Sequence, residues 1–149
     1  QHAELDHLAL TTDSFVLVCR IDHPLARRSR LAWRELAGEP LIFAGISSSN
    51  RPLLDQALAP AVPDLHPFYE VQRSSTALGL AAAGVGAAVV PRLAIQSGTY
   101  PMLKVVRLVD PVVTRSLALV RRRNAQLSPA ALALFDMMLE PASAPARRR

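Results

Sequence analysis

The sequence predicts an α/β fold, a mostly parallel sheet with helices on both faces, from three observations. Short continuous apolar runs recur along the chain, the form that strands take when a sheet is covered on both sides. Stretches of helical spacing, amphipathic or Ala-rich, alternate with these runs, as parallel βαβ order requires. The composition supplies a core: of 149 residues, 50% are hydrophobic and 19% charged, a balance foreign to disordered chains and coiled coils. The length suits one domain, or one domain in two lobes.

The first strand is expected at Phe15-Val16-Leu17-Val18-Cys19, and Asp22-His23-Pro24 must turn after it. Ser29 is placed to cap a short helix through Leu36, closed by Gly38. A second strand follows at Leu41-Ile42-Phe43-Ala44, then a loop of small polar residues, 45–49. Asn50 reads as the N-cap of a helix with Pro52 in its first turn; Leu53, Leu54, Ala57 and Leu58 form its apolar stripe, and Pro60 and Pro63 stop it. Residues 68–71 read as a third strand. Ser74, Ser75 and Thr76 offer an N-cap to a helical stretch at 77–83, which Gly84 ends. Residues 86–90 form a fourth strand, halted by Pro91, and 105–108 and 117–120 two more, separated by Asp110-Pro111. Ser128-Pro129 opens a last helix in which Leu132, Phe135 and Leu139 share a face beside Ala131, Leu134 and Met138. From Pro141 onward Pro, Ala, Ser and Arg make a tail expected to be disordered.

Several function classes recede on composition alone. Lys and Arg total 17 against 12 Asp and Glu, for a formal charge of +5, but Arg147, Arg148 and Arg149 lie on the tail, leaving a weakly basic body. The clusters Arg27, Arg28, Arg30 and Arg121, Arg122, Arg123 are short and read as solvated loop and strand ends, not as a nucleic-acid surface. The lone Cys19 excludes a disulfide framework and a Cys-based zinc site, fits a reducing compartment, and reads as a buried core thiol. His2, His7, His23 and His66 show no metal-ligand spacing. No run approaches the ~20 apolar residues that span a bilayer, and no signal peptide opens the chain. The first residue, Gln1, is no initiator Met, which points to a fragment or a processed chain. Gly84-Val85-Gly86 follows a helix and has Val89 where a third glycine belongs, so it is not a dinucleotide fingerprint.

In α/β sheets ligands sit beyond the carboxyl ends of the strands, against helix N-termini that carry free N–H groups and partial positive charge. Two strand-to-helix loops here, 45–50 and 72–76, are rich in serine. A serine before a helix is most often a cap, but one cap per helix would suffice. The surplus points to a small anion, most simply a carboxylate.

Three segments carry a resemblance that spacing alone does not supply. Residues 15–26 (FVLVCRIDHPLA), 36–43 (LAGEPLIF) and 76–91 (TALGLAAAGVGAAVVP) resemble, in order and spacing, the effector-binding domain of LysR-type transcriptional regulators. The likeness runs from about Leu5 to Leu139. The third segment, with Leu108-Val-Asp-Pro111, leans toward the branch that senses aromatic acids or their ring-cleavage products.

The resemblance implies a periplasmic-binding-protein type II-like fold, two α/β subdomains joined by two crossing segments with the effector between them. Residues 1–13 would be the first crossing, 14–114 the second subdomain, 115–140 the second crossing with the return strand and helix of the first subdomain, and 141–149 the tail. Most of the first subdomain, and the N-terminal winged helix-turn-helix through which the family contacts DNA, would lie outside these residues. The last helix would then lack its usual partner. A two-fold dimer hiding Leu132, Phe135, Met138 and Leu139 is expected, with fold-back of the helix as the alternative.

By the same resemblance the effector pocket draws on Ser49, Asn50, Arg51 and Ser74, with Ser47, Ser48 and Ser75 as neighbours. Arg51 either pairs with a carboxylate directly or points to solvent. The implied function is effector sensing in a cytoplasmic bacterial transcription regulator, with an organic acid as effector, no cofactor, no metal, no membrane contact and no catalysed reaction. Such regulators are homo-oligomers, usually tetramers. A solute-binding protein of a transport system is the alternative of the same fold. An enzyme would need a clustered acid, base or metal site that the sequence does not offer.

Overall fold

The structure is a computed structural model that describes residues 5–96 and 98–139; the expected tail falls outside them. The chain divides into two compact units, one of Asp13–Arg115 and a smaller one that contains residues 5–12 and 116–139. Ten regular elements follow in order: β1 (Leu5–Arg20), β2 (Arg30–Ala32), β3 (Leu41–Ala44), α1 (Asn50–Leu58), β4 (Tyr69–Val71), α2 (Ser74–Ala82), β5 (Ala87–Pro91), β6 (Leu103–Val109), β7 (Thr114–Arg122) and α3 (Pro129–Leu139). Short 3-10 turns sit at Pro24–Arg27, Trp33–Leu36 and Arg92–Ala94.

In the larger unit the strands lie in the order β2-β6-β1-β5-β3-β4. The pairs β2/β6, β3/β5 and β3/β4 are parallel, and β1 runs antiparallel to both its neighbours. Burial explains why β1 reads as one apolar run: its odd and even residues face different cores. Phe15, Leu17 and Cys19 join Trp33, Leu36, Phe43, Leu54 and Leu58 on the α1 side. Val16 and Val18 join Ile42, Ala77, Leu78, Ala81 and Val90 on the α2 side. Helices therefore cover both faces.

Gly84 ends α2 as its sequence position predicts. At φ +78° it turns the chain so that its own N–H reaches Ala81 O at 3.0 Å and the Val85 N–H reaches Leu80 O at 3.1 Å. Gly86 is required for a different reason: a Cβ there would stand 2.0 Å from the Pro40 carbonyl oxygen.

The structure corrects the helix expected from Ser29 to Leu36. Residues 30–32 form β2, with Leu31 beside Leu108 on β6, and only Trp33–Leu36 coil, as a 3-10 turn. Leu31 is buried and gains more from the sheet than from a helix too short to sustain itself. The Glu35 carboxylate accepts the Ala32 N–H at 2.7 Å, which fixes where the turn begins. β1 is also much longer than residues 15–19, because its polar first half is held by pairing with β7 and not by burial. Phe68 lies outside β4 and is 73% exposed.

In the smaller unit Asp6 pairs with Arg121 at 3.5 Å and Arg123 at 3.2 Å. The Arg121 guanidinium stands 5.3 Å above the Phe135 ring of α3. No residue of α3 is buried.

Candidate functional site

Strand direction gathers the site. β3 and β4 are parallel and in register, Ile42 with Tyr69 and Ala44 with Val71, so the loops that leave them emerge at one edge of the sheet. β5 is parallel to β3 and ends at that edge also, and the antiparallel β1 enters the larger unit there, with Phe15 opposite Pro91. The two serine loops are bonded to each other: the Gly45 N–H donates to Val71 O at 2.8 Å, and the Ser47 hydroxyl to Gln72 Oε1 at 3.2 Å.

Within the first loop the roles differ from the expected ones. Asn50 is the first residue of α1, not its cap, and Ser49 in the cap position is itself α-helical and makes no capping bond. The cap is supplied one residue earlier, where Ser48 Oγ accepts the Asn50 N–H at 3.3 Å and Ser48 O accepts the Arg51 N–H at 3.0 Å. Freed from capping, the Asn50 side chain turns elsewhere and its Oδ1 accepts a bond from Arg115 at 3.2 Å.

Arg51 is engaged within the protein. Its Nε donates to Asp55 at 2.8 Å, one helical turn on, and its Nη1 to Glu70 at 2.5 Å. Burial opposes its charge, but the hydrogen bonds to Glu70 and Asp55 and their charges outweigh this and raise its pKa. Two carboxylates already match this guanidinium. Its side chain is 16% exposed.

In the second loop Arg73, and not a serine, occupies the cap position of α2, with no side-chain bond. Ser74 and Ser75 are its first two residues. Their N–H groups precede the first helical bonds, which Thr76 and Ala77 make to Arg73 O. Ser74 is half-buried and Ser75 exposed. What this edge presents is a set of donors: serine hydroxyls, the leading N–H groups of α2 and the Asn50 amide, while on α1 Ser48 takes the Asn50 and Arg51 N–H groups and Pro52 has none.

Two residues of this edge escaped the sequence reading. Asp13 is 2% exposed. Its Oδ2 accepts bonds from Arg115 Nε at 3.1 Å and Nη2 at 2.9 Å, and its Oδ1 accepts the Leu93 N–H at 3.1 Å. An acidic residue parted only by Ser14 from the apolar run at 15–19 was the available signal, and Arg115 behind Val112-Val113-Thr114 was its complement. A cavity of about 430 Å³ lies beside Leu93, lined also by Arg92, Ile95, Gln96 and Tyr100; none of the residues assigned to the pocket lines it. Cys19 lies in the α1-side core, where burial, with the charges of Glu39 and Asp22 adding to it, pushes its thiol up to about 11. That holds it neutral and unreactive.

This fold is that of the LysR effector-binding class. Residues 1–143 match the family described as the LysR substrate binding domain, and the chain belongs to that family. It is 41% identical over 138 residues to the uncharacterized HTH-type transcriptional regulator YbhD of Escherichia coli (strain K12), across 93% of this chain and 44% of that protein. The chain thus spans less than half the length of that relative. The effector binding domain of QuiR, solved in complex with shikimate, superposes with a TM-score of 0.74 at 27% identity, over 93% of this chain and 66% of that one. The Synechocystis PCC6803 CcmR regulatory domain, solved in complex with 2-PG, gives 0.77 at 19% identity, over 93% and 67%, and shows the fold alone. The fold is periplasmic-binding-protein type II-like.

Proposed function

We propose that the chain is the effector-sensing part of a bacterial LysR-type transcription regulator, and that it takes a small carboxylate-bearing molecule at the carboxyl edge of its sheet. The observation that carries this reading is the pair of serine loops held side by side by the Gly45–Val71 and Ser47–Gln72 bonds, which brings the hydroxyls, the Asn50 amide and the N-terminus of α2 to one edge. Ser49, Asn50, Ser74 and Ser75 supply the donors; Ser47 and Ser48 shape the loop. Arg51 braces α1 against β4 through Asp55 and Glu70, so hydroxyl and N–H donors carry the anion more than this cation does. The shikimate held by QuiR is a ligand of the chemistry such donors suit.

In this reading the chain binds its effector and catalyses no reaction. DNA contact belongs to a helix-turn-helix such as the name of YbhD denotes, and the assembly is a homo-oligomer in the cytoplasm. Residues 1–13 act as the first crossing and 115–140 as the second crossing with the return strand and helix of the first subdomain, and through the crossings effector binding alters the angle between two lobes.

Calorimetric titration with shikimate and a panel of small organic acids tests the site. The expected result is saturable binding of at least one acid, weakened about ten-fold by Ser49→Ala, Asn50→Ala or Ser74→Ala. Equal binding of the corresponding neutral amides would overturn the anion reading.

A further inference from the structure

We propose that Arg115, clamped by the buried Asp13, is the positioning residue for Asn50, fixing its amide as a hydrogen-bond donor and linking the candidate pocket to the two ends of the larger unit. The proposal rests on the reading of Asn50 as an effector contact. An ordinary ion pair would end at Asp13 and Arg115, but here the same guanidinium carries a third bond, from Nη1 to Asn50 Oδ1 at 3.2 Å. Both oxygens of Asp13 are taken, one by Leu93 and one by the Nε and Nη2 of Arg115. The fork is planar and rigid. Arg115 therefore cannot rotate without leaving a buried carboxylate short of donors, and its Nη1 is aimed at Asn50 by a contact on its far side.

The chemistry then settles how Asn50 is turned. A guanidinium has donors and no acceptor, so Asn50 must offer it the carbonyl oxygen, and both hydrogens of Nδ2 remain for other acceptors. An effector oxygen is such an acceptor; an effector amine or ammonium is not. Lysine at position 115 could pair with Asp13 but has no second arm in a fixed plane for Asn50.

The linkage follows from where these residues stand. Asp13 and Arg115 are the first and last residues of the larger unit, on β1 and β7, and the Leu93 N–H on Asp13 adds the 3-10 turn that follows β5. A displacement at Asn50 is thus passed through one guanidinium to both points where the chain enters and leaves that unit.

Amide hydrogen exchange on the 149-residue chain without ligand tests this, with the Leu93 N–H as reporter of Asp13. Asn50→Ala is expected to speed Leu93 exchange about three- to ten-fold, while Ser74→Ala leaves it unchanged. In an Arg115→Lys background, Asn50→Ala should have no further effect; Arg115→Gln provides a second background should the lysine variant not fold. Unchanged Leu93 exchange in Asn50→Ala overturns the proposal, as does an equal rise in both Arg115 backgrounds. No acid is present, so failure here leaves the calorimetric test of effector binding intact, and failure of that test leaves this clamp standing.

Discussion

Gly86 and Gly79 are chemically the same residue in opposite situations. At Gly86 the space for a methyl group is filled by the Pro40 carbonyl, which also accepts the Ala87 N–H at 3.0 Å and so cannot move aside alone. At Gly79, within α2, a Cβ would meet nothing within 4 Å. Urea denaturation should separate them. Gly86→Ala is expected to lose about 1–3 kcal/mol or more through overpacking, and Gly79→Ala to gain about 0.5–1 kcal/mol from helix propensity and a less free unfolded chain. Equal effects would mean that the close approach of β5 to Pro40 relaxes at no cost. The same scale shows why Asp13 and Arg115, each marked in the sequence only by its place beside an apolar run, could not be recognised there as a pair. Only the pairing of β5 with β1 and β3, and the bond from the Phe15 N–H to Val113 O, bring them, Leu93 and Asn50 together.

Among the elements, those buried on both sides were the legible ones. The first strand's apolar run, β3 and β5 appear as unbroken runs because no residue in them faces water. β2 was hidden because it is three residues long and shares its polar flanks with the turn after it; its pairing with β6 is decided by residues far along the chain. The capping pattern was legible in kind and displaced in position: serines do precede α1, but Ser48 caps and Asn50 is released for Arg115. At the corner after β2 the carboxylate of Glu35 carries the structure. Its pKa is lowered, first by the Ala32 N–H and further by Arg28 and Arg34, against a desolvation that raises it. A carboxylate depressed in the folded state adds stability above its unfolded value of about 4.3 and loses it as pH falls through the folded value. Wild-type and Glu35→Gln chains should therefore differ in stability at neutral pH and converge in acid. Parallel curves across that window, by thermal melts, would remove Glu35 as the anchor.

For the whole molecule the serine loops were readable because a surplus of caps is a local signal, whereas the engagement of Arg51 by Glu70 depends on strand pairing. Charge and exposed surface govern two further outcomes. The basic clusters are partly spent inside the protein: Arg28 lies 3.2 Å from Glu35, and Arg121 and Arg123 share Asp6. The chain alone should bind DNA weakly and without sequence preference. A gel shift at physiological salt with selective submicromolar binding would contradict that. On α3, Leu134 is 58% and Met137 70% exposed, with Leu132, Met138 and Leu139 also open. Such a face favours self-association, and light scattering at micromolar concentration should find dimers of the isolated chain; a strict monomer would refute pairing through this helix.

The central place of β1 has a cost in time. Its most apolar residues, Phe15 to Cys19, find their sheet partners only between Ala88 and Arg107, near the far end of the larger unit. A ribosome adds about 5–20 residues per second, so the emerging strand waits several seconds with both faces unpartnered. During that interval it is a sticky β-prone segment of the kind that chaperones hold. Chains interrupted before β6 would expose it permanently, and clearance of such truncated products, more than any property of the finished fold, would set how cleanly this protein accumulates in a cell.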